Sequence, residues 1–189
     1  MNETTAKHTY IKSFGYIITK TSYEPENSSV NLNCNFFTGN TYRISGPFIN
    51  NKKYYNPEDN CIPWLMASGK MQITNLKTGK VEIRTGGESN LKTPEKIGIY
   101  QGKCLEPSIV YSIWPENNIK ASPTMPKLEY LSLKKDEVYK APIGTKLFLA
   151  LGSLSVDGEQ FNATRSILVT TKPFISMLAL SDCYGLLFE

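Results

Sequence analysis

Apolar and polar residues alternate along several short stretches of the chain, which is the pattern of half-buried β-strands. The clearest stretch is VNLNCNF at residues 30–36, where Cys34 is expected on the apolar face. The alternation recurs at 71–73, 81–83, 109–113 and 154–156, and we expect the apolar residues of each to face a core. The fully apolar runs 147–151 and 175–180 predict central strands, and 184–188 predicts a buried strand. No stretch has a helical period, so helix is expected to be a minor component.

Turn signals separate these stretches. They are Thr78-Gly79, Gly86-Gly87 and Asp157-Gly158, and the last predicts a tight hairpin. Thirteen glycines and eleven prolines distributed in this way fit a fold in which many short strands reverse direction. The pattern therefore predicts an all-β chain, either a closed barrel or a β-sandwich.

A segment rich in proline and asparagine, PENNIKASPTMP at residues 115–126, interrupts the strand pattern. We interpret it as a linker or long crossover between an N-terminal β unit, residues 1–114, and a C-terminal β unit, residues 127–189. The first residues of the N-terminal unit are polar and expected to be flexible. Around Gly69 and Gly152 the sequence shows the same order of apolar strand, glycine, alternating strand and turn, which suggests a duplication.

Composition and charge narrow the function classes. With 40% hydrophobic and 20% charged residues among 189, the chain has globular composition. Its 21 Lys and Arg against 17 Asp and Glu are scattered rather than gathered in a stripe, which disfavours nucleic-acid binding. The chain shows no apolar leader and no run of about 20 apolar residues. We therefore expect no membrane association, and a cytoplasmic protein or, if viral, a virion component.

Cysteine and histidine usage excludes several chemistries. Cys34, Cys61, Cys104 and Cys183 lie far apart without a C-x-x-C pair, which disfavours a zinc finger and predicts free thiols in a reducing compartment. Their redox state stays open. His8 is the only histidine and lies in the polar leader. Serine and cysteine nucleophiles activated by histidine, and metal sites built on histidines, are thereby disfavoured.

Residues 130–188, from EYLSLKKDEVYK to SDCYGLLF, resemble the cupin family of double-stranded β-helix proteins. The resemblance rests on Gly152 and Pro173, which stand where the two conserved cupin segments carry glycine and proline. It implies a small jelly-roll barrel whose metal-ligand positions are occupied by other residues. Counted from these two landmarks, and from Gly69 in the first unit, those positions fall on Tyr139, Ala141, Thr145, Leu178, Asn56, Glu58 and Ile62. The resemblance therefore implies a metal-free, cofactor-free member; an unrelated β-sandwich remains the alternative.

Aromatic residues offer the remaining candidate chemistry. Eleven tyrosines accompany Trp64 and Trp114, and aromatic-rich β surfaces suit planar or sugar-like ligands and protein contacts. The residues chosen for a binding site are Glu58, Trp64, Arg84 and Tyr139, which would supply a carboxylate, a stacking ring, a cation and a phenol. No catalytic residue and no metal ligand is assigned.

Three functions remain open. The preferred one is a non-catalytic module that binds a small molecule or a protein partner through a cupin-like barrel. The second is a structural protein that assembles as a homo-oligomer, for example in a virion, since jelly rolls serve there. The third is a cofactor-independent isomerase or lyase of the cupin type, but Tyr139 and Lys140 would face opposite ways on a strand and form no acid-base pair.

Overall fold

All the regular secondary structure of the described residues is β-strand, as the alternation predicted. The structure is a computed structural model and describes residues 7–25, 32–33, 64–75, 78–89, 100–115 and 128–188. Its described part has no helix of the length and apolarity needed to span a bilayer. The chain divides into two compact units, Met1–Thr124 and Met125–Glu189. The predicted linker lies outside the described residues except for Pro115, so it stays a prediction.

The described part of the first unit forms one antiparallel sheet. Its strand order is β1-β2-β6-β4-β5, and the short β3 also pairs with β6. The strands are β1 (Lys7–Ser13), β2 (Tyr16–Tyr23), β3 (Leu32–Asn33), β4 (Trp64–Asn75), β5 (Val81–Thr85) and β6 (Tyr100–Pro115). His8, expected in a flexible leader, lies in β1 and pairs with Thr21. Of the predicted strand 30–36 only β3 is described; the rest, including Cys34, lies outside the described residues.

One face of this sheet carries the core of the first unit. Side chains directly opposite each other in an antiparallel pair lie on the same face, so the register identifies the members of that face. The buried cluster on it is Tyr23, Trp64, Met66, Met71, Ile73, Cys104 and Val110. The opposite face is also buried along β2, β4 and β6, at Ile18, Leu65 and Tyr111 for example. Both faces of the central strands are therefore excluded from water.

The second unit is a jelly roll. Its strands are β7 (Leu128–Leu133), β8 (Val138–Pro142), β9 (Lys146–Leu151), β10 (Ser153–Val156), β11 (Glu159–Asn162), β12 (Ser166–Leu168), β13 (Phe174–Ala179) and β14 (Cys183–Phe188). They form two four-stranded antiparallel sheets with the orders β11-β10-β13-β8 and β12-β9-β14-β7. Every connection except the β10–β11 hairpin crosses from one sheet to the other, which is the double-sheet arrangement of jelly rolls.

That hairpin and the two apolar runs agree with the sequence. Asp157 and Gly158 both have positive φ, 49° and 85°, as a two-residue type I′ turn requires. The runs at β9 and β13 are central strands of their sheets, as predicted. Between the sheets lies an apolar core: Leu131, Leu133, Ala141, Leu147, Leu149, Leu154, Val156, Ile167, Val169, Met177, Ala179 and Cys183.

The first unit repeats the strand register of the second. The pairing of β4 with β6 in the first unit has the same residue spacing as two pairings in the second unit, those of β9 with β14 and of β10 with β13. The equivalent pairs are Met66–Val110 and Leu149–Gly185, Met71–Cys104 and Leu154–Ala179, and Met71–Arg84 and Leu154–Phe161. The sequence echo around Gly69 and Gly152 is therefore a structural repeat.

Hydrogen bonds that follow β5 in the first unit and β11 in the second unit confirm that these two strands are equivalent. The Gly87 amide donates to the Met66 carbonyl at 2.7 Å, and the Thr164 amide donates to the Leu149 carbonyl at 2.7 Å. The two glycines at the centre of the repeat, Gly69 and Gly152, have φ of 91° and 89°. A Cβ at either position would collide with the facing backbone, so both glycines are required where two strands approach closely.

Two details of strand orientation differ from the prediction. In β5 the apolar residues Val81 and Ile83 are 53% and 45% exposed, so they face outward rather than toward the core. In β13 Leu178, the position counted for a third metal ligand, is 37% exposed on the outer face, and the buried neighbour is Met177. The physical reason is the same in both strands: a period of two separates two faces without saying which one is covered.

Candidate functional site in the first unit

Strand β5 turns its charged residues toward the core of the first unit. Arg84 pairs with Met71 and Glu82 pairs with Ile73, and both partners are buried core residues. Because paired residues share a face, Glu82 and Arg84 lie on the core side of an edge strand. A partly exposed cation and a partly exposed carboxylate therefore lie at the margin of this core face.

The described contacts of Arg84 include two carboxylates, which lie at different distances from its guanidinium. Its Nη2 donates to Glu82 Oε2 at 2.6 Å, and its Nη1 donates to Glu88 Oε2 at 3.5 Å. The Arg84 side chain is 26% exposed, so the guanidinium is neither in bulk water nor sealed from it. A planar guanidinium can serve two carboxylates at once because its donors form a rigid fork.

Trp64 lies beneath this guanidinium. The Cζ atom of Arg84 is 5.9 Å from the centroid of the Trp64 ring, within the range of a cation–π interaction. Trp64 begins β4 and is almost completely buried in the core cluster with Met66 and Met71. A fixed indole therefore supports the guanidinium from the core side.

The two carboxylates have separate anchors. Glu82 Oε1 accepts a hydrogen bond from Lys80 Nζ at 2.6 Å. This bond and the charge of Arg84 hold the pKa of Glu82 below its ordinary value, against the effect of partial burial. Glu88 Oε1 accepts from the amide and the hydroxyl of Thr85 at 3.2 and 3.1 Å. Glu82 thus binds both Lys80 and Arg84, whereas Glu88 is positioned mainly by its hydrogen bonds with Thr85.

Buried hydroxyl groups continue the polar character of this core face. Thr19 pairs with Ser112, and Ser112 pairs with Trp64, so these three residues lie side by side on one face. Thr19 and Ser112 are both buried. In the second unit the position of Ser112 is occupied by Leu187, which packs on the apolar core. Every buried polar side chain among the described residues belongs to the first unit: Ser13, Thr19, Thr21, Ser108 and Ser112.

The four residues predicted for a binding site do not lie together in the structure. Trp64 and Arg84 are in contact in the first unit. Tyr139 lies in β8 of the second unit, where it is half-buried and packs on the apolar core. Glu58 lies outside the described residues. The structure therefore brings together two of the four residues that we selected.

Sequence reasoning missed the carboxylates that hold Arg84. Glu82 and Arg84 are two residues apart, and that spacing places them on the same face of a strand. The signal was present, but the alternation of Val81 and Ile83 suggested that the apolar face was the covered one. Glu88 follows β5 after a Gly-Gly turn, and nothing in its sequence position indicated that it returns to Arg84.

The described positions of the second unit that correspond to metal ligands in cupins carry other residues. Tyr139 and Ala141 face its interior from β8, and Met177 faces it from β13. These side chains offer neither an imidazole nor a carboxylate to a divalent metal. In the described part of the chain, no group of three or more His, Cys, Asp or Glu is placed to hold a metal ion. The equivalent positions of the first unit, Asn56, Glu58 and Ile62, lie outside the described residues.

Comparison with known proteins identifies the fold. No protein-family model matches the sequence, and no curated protein matches it. HutD from Pseudomonas fluorescens SBW25, crystallised in a formate condition, superposes with a TM-score of 0.56 at 9% identity, over 97% of this chain and 88% of HutD. YhhW from Escherichia coli superposes with a TM-score of 0.52 at 15% identity, over 97% of this chain and 88% of YhhW.

A second structure of YhhW, named as a bacterial pirin in complex with nickel(II), gives a TM-score of 0.52 at 14% identity, over 97% of this chain and 90% of the pirin. At these identities the likeness concerns the fold and not the chemistry. These similar structures are cupin-like proteins. The chain has a cupin-like fold.

Proposed function

We propose that the chain binds a small molecule in the first unit, at the core face that carries Trp64, Glu82, Arg84 and Glu88. The observation that carries the proposal is the difference between equivalent positions of the two units. Where the second unit places Phe161 against an apolar core, the first unit places Arg84. Partly burying an ion pair stabilises a fold less than packing an aromatic ring at the same place, so a guanidinium there favours recognition over stability.

Protection of an edge strand is the competing explanation. Inward-pointing charges on an edge strand discourage pairing with a second chain, and β5 is at the edge of its sheet among the described strands. That explanation accounts for Glu82 and Arg84 but not for Glu88, which comes from the following loop to the same guanidinium. Nor does it account for the buried hydroxyls of Thr19 and Ser112. Ligand recognition accounts for all of these groups together.

Methionine methyl groups provide a direct test. Met66 and Met71 belong to the core face of the first unit, and Met177 belongs to the core of the second unit. The intact chain, labelled with ¹³C at its methionine methyls, is titrated with glucose, adenosine, citrate and benzoate while NMR spectra are recorded. We expect one class of compound to shift the Met66 and Met71 signals in a saturable way and to leave Met177 unchanged. Equal shifts at all three methyls, or no shift with any compound, would contradict the proposal.

A specific observation favours self-association as a second candidate. The outer face of β8 and β13 exposes two apolar cross-strand pairs, Val138 with Leu178 and Pro142 with Phe174, and Phe174 is 57% exposed. Adjacent exposed apolar side chains mark protein contacts more often than scattered ones do. Light scattering of the wild type and of the variant Phe174→Ser with Leu178→Ser tests this candidate. A dimer that becomes a monomer supports it, and a wild-type monomer at all concentrations excludes it.

A further inference from the structure

The unequal contacts of Arg84 point to the class of ligand, and this inference rests on the proposed function. We propose that the ligand is a small organic carboxylate, and that it binds the Nη1 side of Arg84 in the place of the Glu88 carboxylate. Four features of the described residues support this assignment. They are the two distances at Arg84, the independent anchor of Glu88, the indole beneath the guanidinium and the apolar neighbours of the site.

The two distances at Arg84 separate a permanent partner from an exchangeable one. The bond to Glu82 at 2.6 Å is as short as charge-assisted hydrogen bonds become, whereas the 3.5 Å contact to Glu88 lies at the outer limit of hydrogen bonding. A ligand carboxylate that approached Nη1 at about 2.8 Å would form a shorter charge-assisted bond than Glu88 forms. The side of Arg84 that faces Glu88 is therefore the side that gains from a ligand.

Glu88 can release Arg84 without losing its position. Its Oε1 keeps the amide and the hydroxyl of Thr85, and its backbone carbonyl accepts from the amide of Met66 at 2.9 Å. The Glu88 side chain is 37% exposed, so its other oxygen can be solvated by water after the exchange. Because the displaced carboxylate stays hydrogen-bonded or hydrated, the exchange leaves no buried charge without a partner.

Trp64 keeps the guanidinium in place during the exchange. The ring is buried in the core and lies 5.9 Å from Arg84 Cζ. A cation that is stacked on a fixed ring and bonded to Glu82 loses little further freedom when a ligand binds. The fork of donors is thus preorganised toward the Glu88 side.

The neighbouring side chains indicate that the carboxylate belongs to an organic molecule. Met71 is the register partner of Arg84, and Ile73 follows on the same face. These side chains are buried, and they make the surroundings of the guanidinium apolar, which suits a carbon skeleton better than a fully hydrated inorganic anion. A carboxylate also matches the planar fork with two parallel bonds, which favours it over a spherical anion such as chloride.

Benzoate, acetate and inorganic phosphate are the probes for this inference. Each is titrated at pH 7.5 and 0.1 M NaCl into the intact wild type, while the Met66 and Met71 methyl signals are followed. We expect benzoate to bind more tightly than acetate, and phosphate to bind least. Phosphate binding equal to or tighter than benzoate would replace the carboxylate with a general anion and overturn the inference.

Two substitutions have opposite expected effects. Arg84→Phe copies the residue of the second unit at this position, so the variant is expected to fold, and benzoate affinity should fall by about tenfold or more. Glu88→Gln removes the competing anion and should raise benzoate affinity severalfold. Arg84→Lys keeps the charge without the fork and should bind weakly. Glu106→Gln removes an exposed charge from β6 and controls for net charge.

The outcomes separate this inference from the function on which it depends. If glucose or adenosine shifts Met66 and Met71 while no carboxylate does, the small-molecule proposal stands and the carboxylate inference is wrong. If benzoate binds but Glu88→Gln weakens it as Arg84→Phe does, Glu88 is a binding group rather than a competitor, and the exchange is wrong. If no compound shifts these methyls, both proposals fall.

Discussion

Arg84 and Phe161 occupy the same register position in two similar units, yet their side chains differ in charge and shape. Phe161 packs on an apolar core. The aliphatic stem of Arg84 can cover apolar surface in the same way, while its head reaches Glu82 and Glu88. The same register position therefore holds a packing residue, Phe161, in the second unit. In the first unit it holds Arg84, which can pack and also binds two carboxylates.

The thiols of Cys104 and Cys183 are expected to react slowly. Both are buried, burial is the main reason that their pKa values are raised, and each thiol donates to backbone carbonyl oxygens. Because the thiolate is the reactive form, burial slows labelling both through access and through the pKa. In a variant with Cys34 and Cys61 replaced by Ser, Ellman's reagent at pH 8 should label the two remaining thiols only on unfolding. Immediate labelling of one of them in the native protein would show that it is accessible.

At the residue scale, the sequence predicts which functional groups are available better than it predicts which side chains are in contact. The sequence predicts Trp64 and Arg84 as site residues because they offer a ring and a cation, and the structure places them in contact. Tyr139 was selected on the same ground, but the register places it against the apolar core of the second unit. Sequence gives the functional group of a residue, whereas its neighbours depend on pairing between strands that are distant in the chain.

Strand β5 shows the limit of sequence patterns at the element scale. Its alternation and its turn residues fixed its existence, but the two faces of VEIRT are equally regular. The face that is covered was decided by pairing with Met71 and Ile73 of β4. A strand inside the second unit, such as β9, was easier to predict because both of its faces are apolar.

The orientation of β5 predicts a contrast between two similar substitutions. Ile83→Thr changes an outward, exposed side chain and should alter the free energy of unfolding by less than about 0.5 kcal/mol. Ile73→Thr places a hydroxyl in the buried core and should cost about 2 kcal/mol or more. Urea unfolding of both variants measures the difference. Equal losses would mean that Ile83 is covered, as its sequence pattern first suggested.

At the scale of the whole molecule, strand alternation and turn signals predicted the all-β class, and the resemblance to cupins predicted the jelly-roll architecture. The structure confirms both. In the sequence, the repeat is indicated only by the same order of apolar strand, glycine, alternating strand and turn around Gly69 and Gly152. Its demonstration required the pairing register, because the side chains of the two units differ at most equivalent positions. Backbone geometry is thus more similar between the units than sequence is.

The stability of the whole chain is expected to fall in alkaline solution. Burial raises the pKa of Tyr111 in the first unit to about 12, and it also raises the pKa of Tyr130 in the second unit. A tyrosine whose pKa is higher in the folded state stabilises the fold below pH about 10, and this contribution is lost between pH 10 and the folded pKa. Urea unfolding at pH 8, 10 and 11.5 should show a decline that is smaller in Tyr111→Phe. An unchanged decline in that variant would assign the effect to other groups.

Two units with one register also create a problem of strand choice during folding. The strand β11 offers the same backbone hydrogen bonds as β5, since each pairs with an equivalent strand and ends in equivalent bonds to Met66 or Leu149. Backbone pairing alone cannot tell them apart, and exchange of identical elements is a recognised route to misassembly. The inward-facing side chains distinguish β5 from β11. Arg84 placed beside Leu154 would be a guanidinium separated from the indole of Trp64. We therefore expect the Arg84–Trp64 contact to favour pairing of β5 with β4 over pairing with β10, and we expect Arg84→Phe to weaken this preference together with the proposed ligand binding.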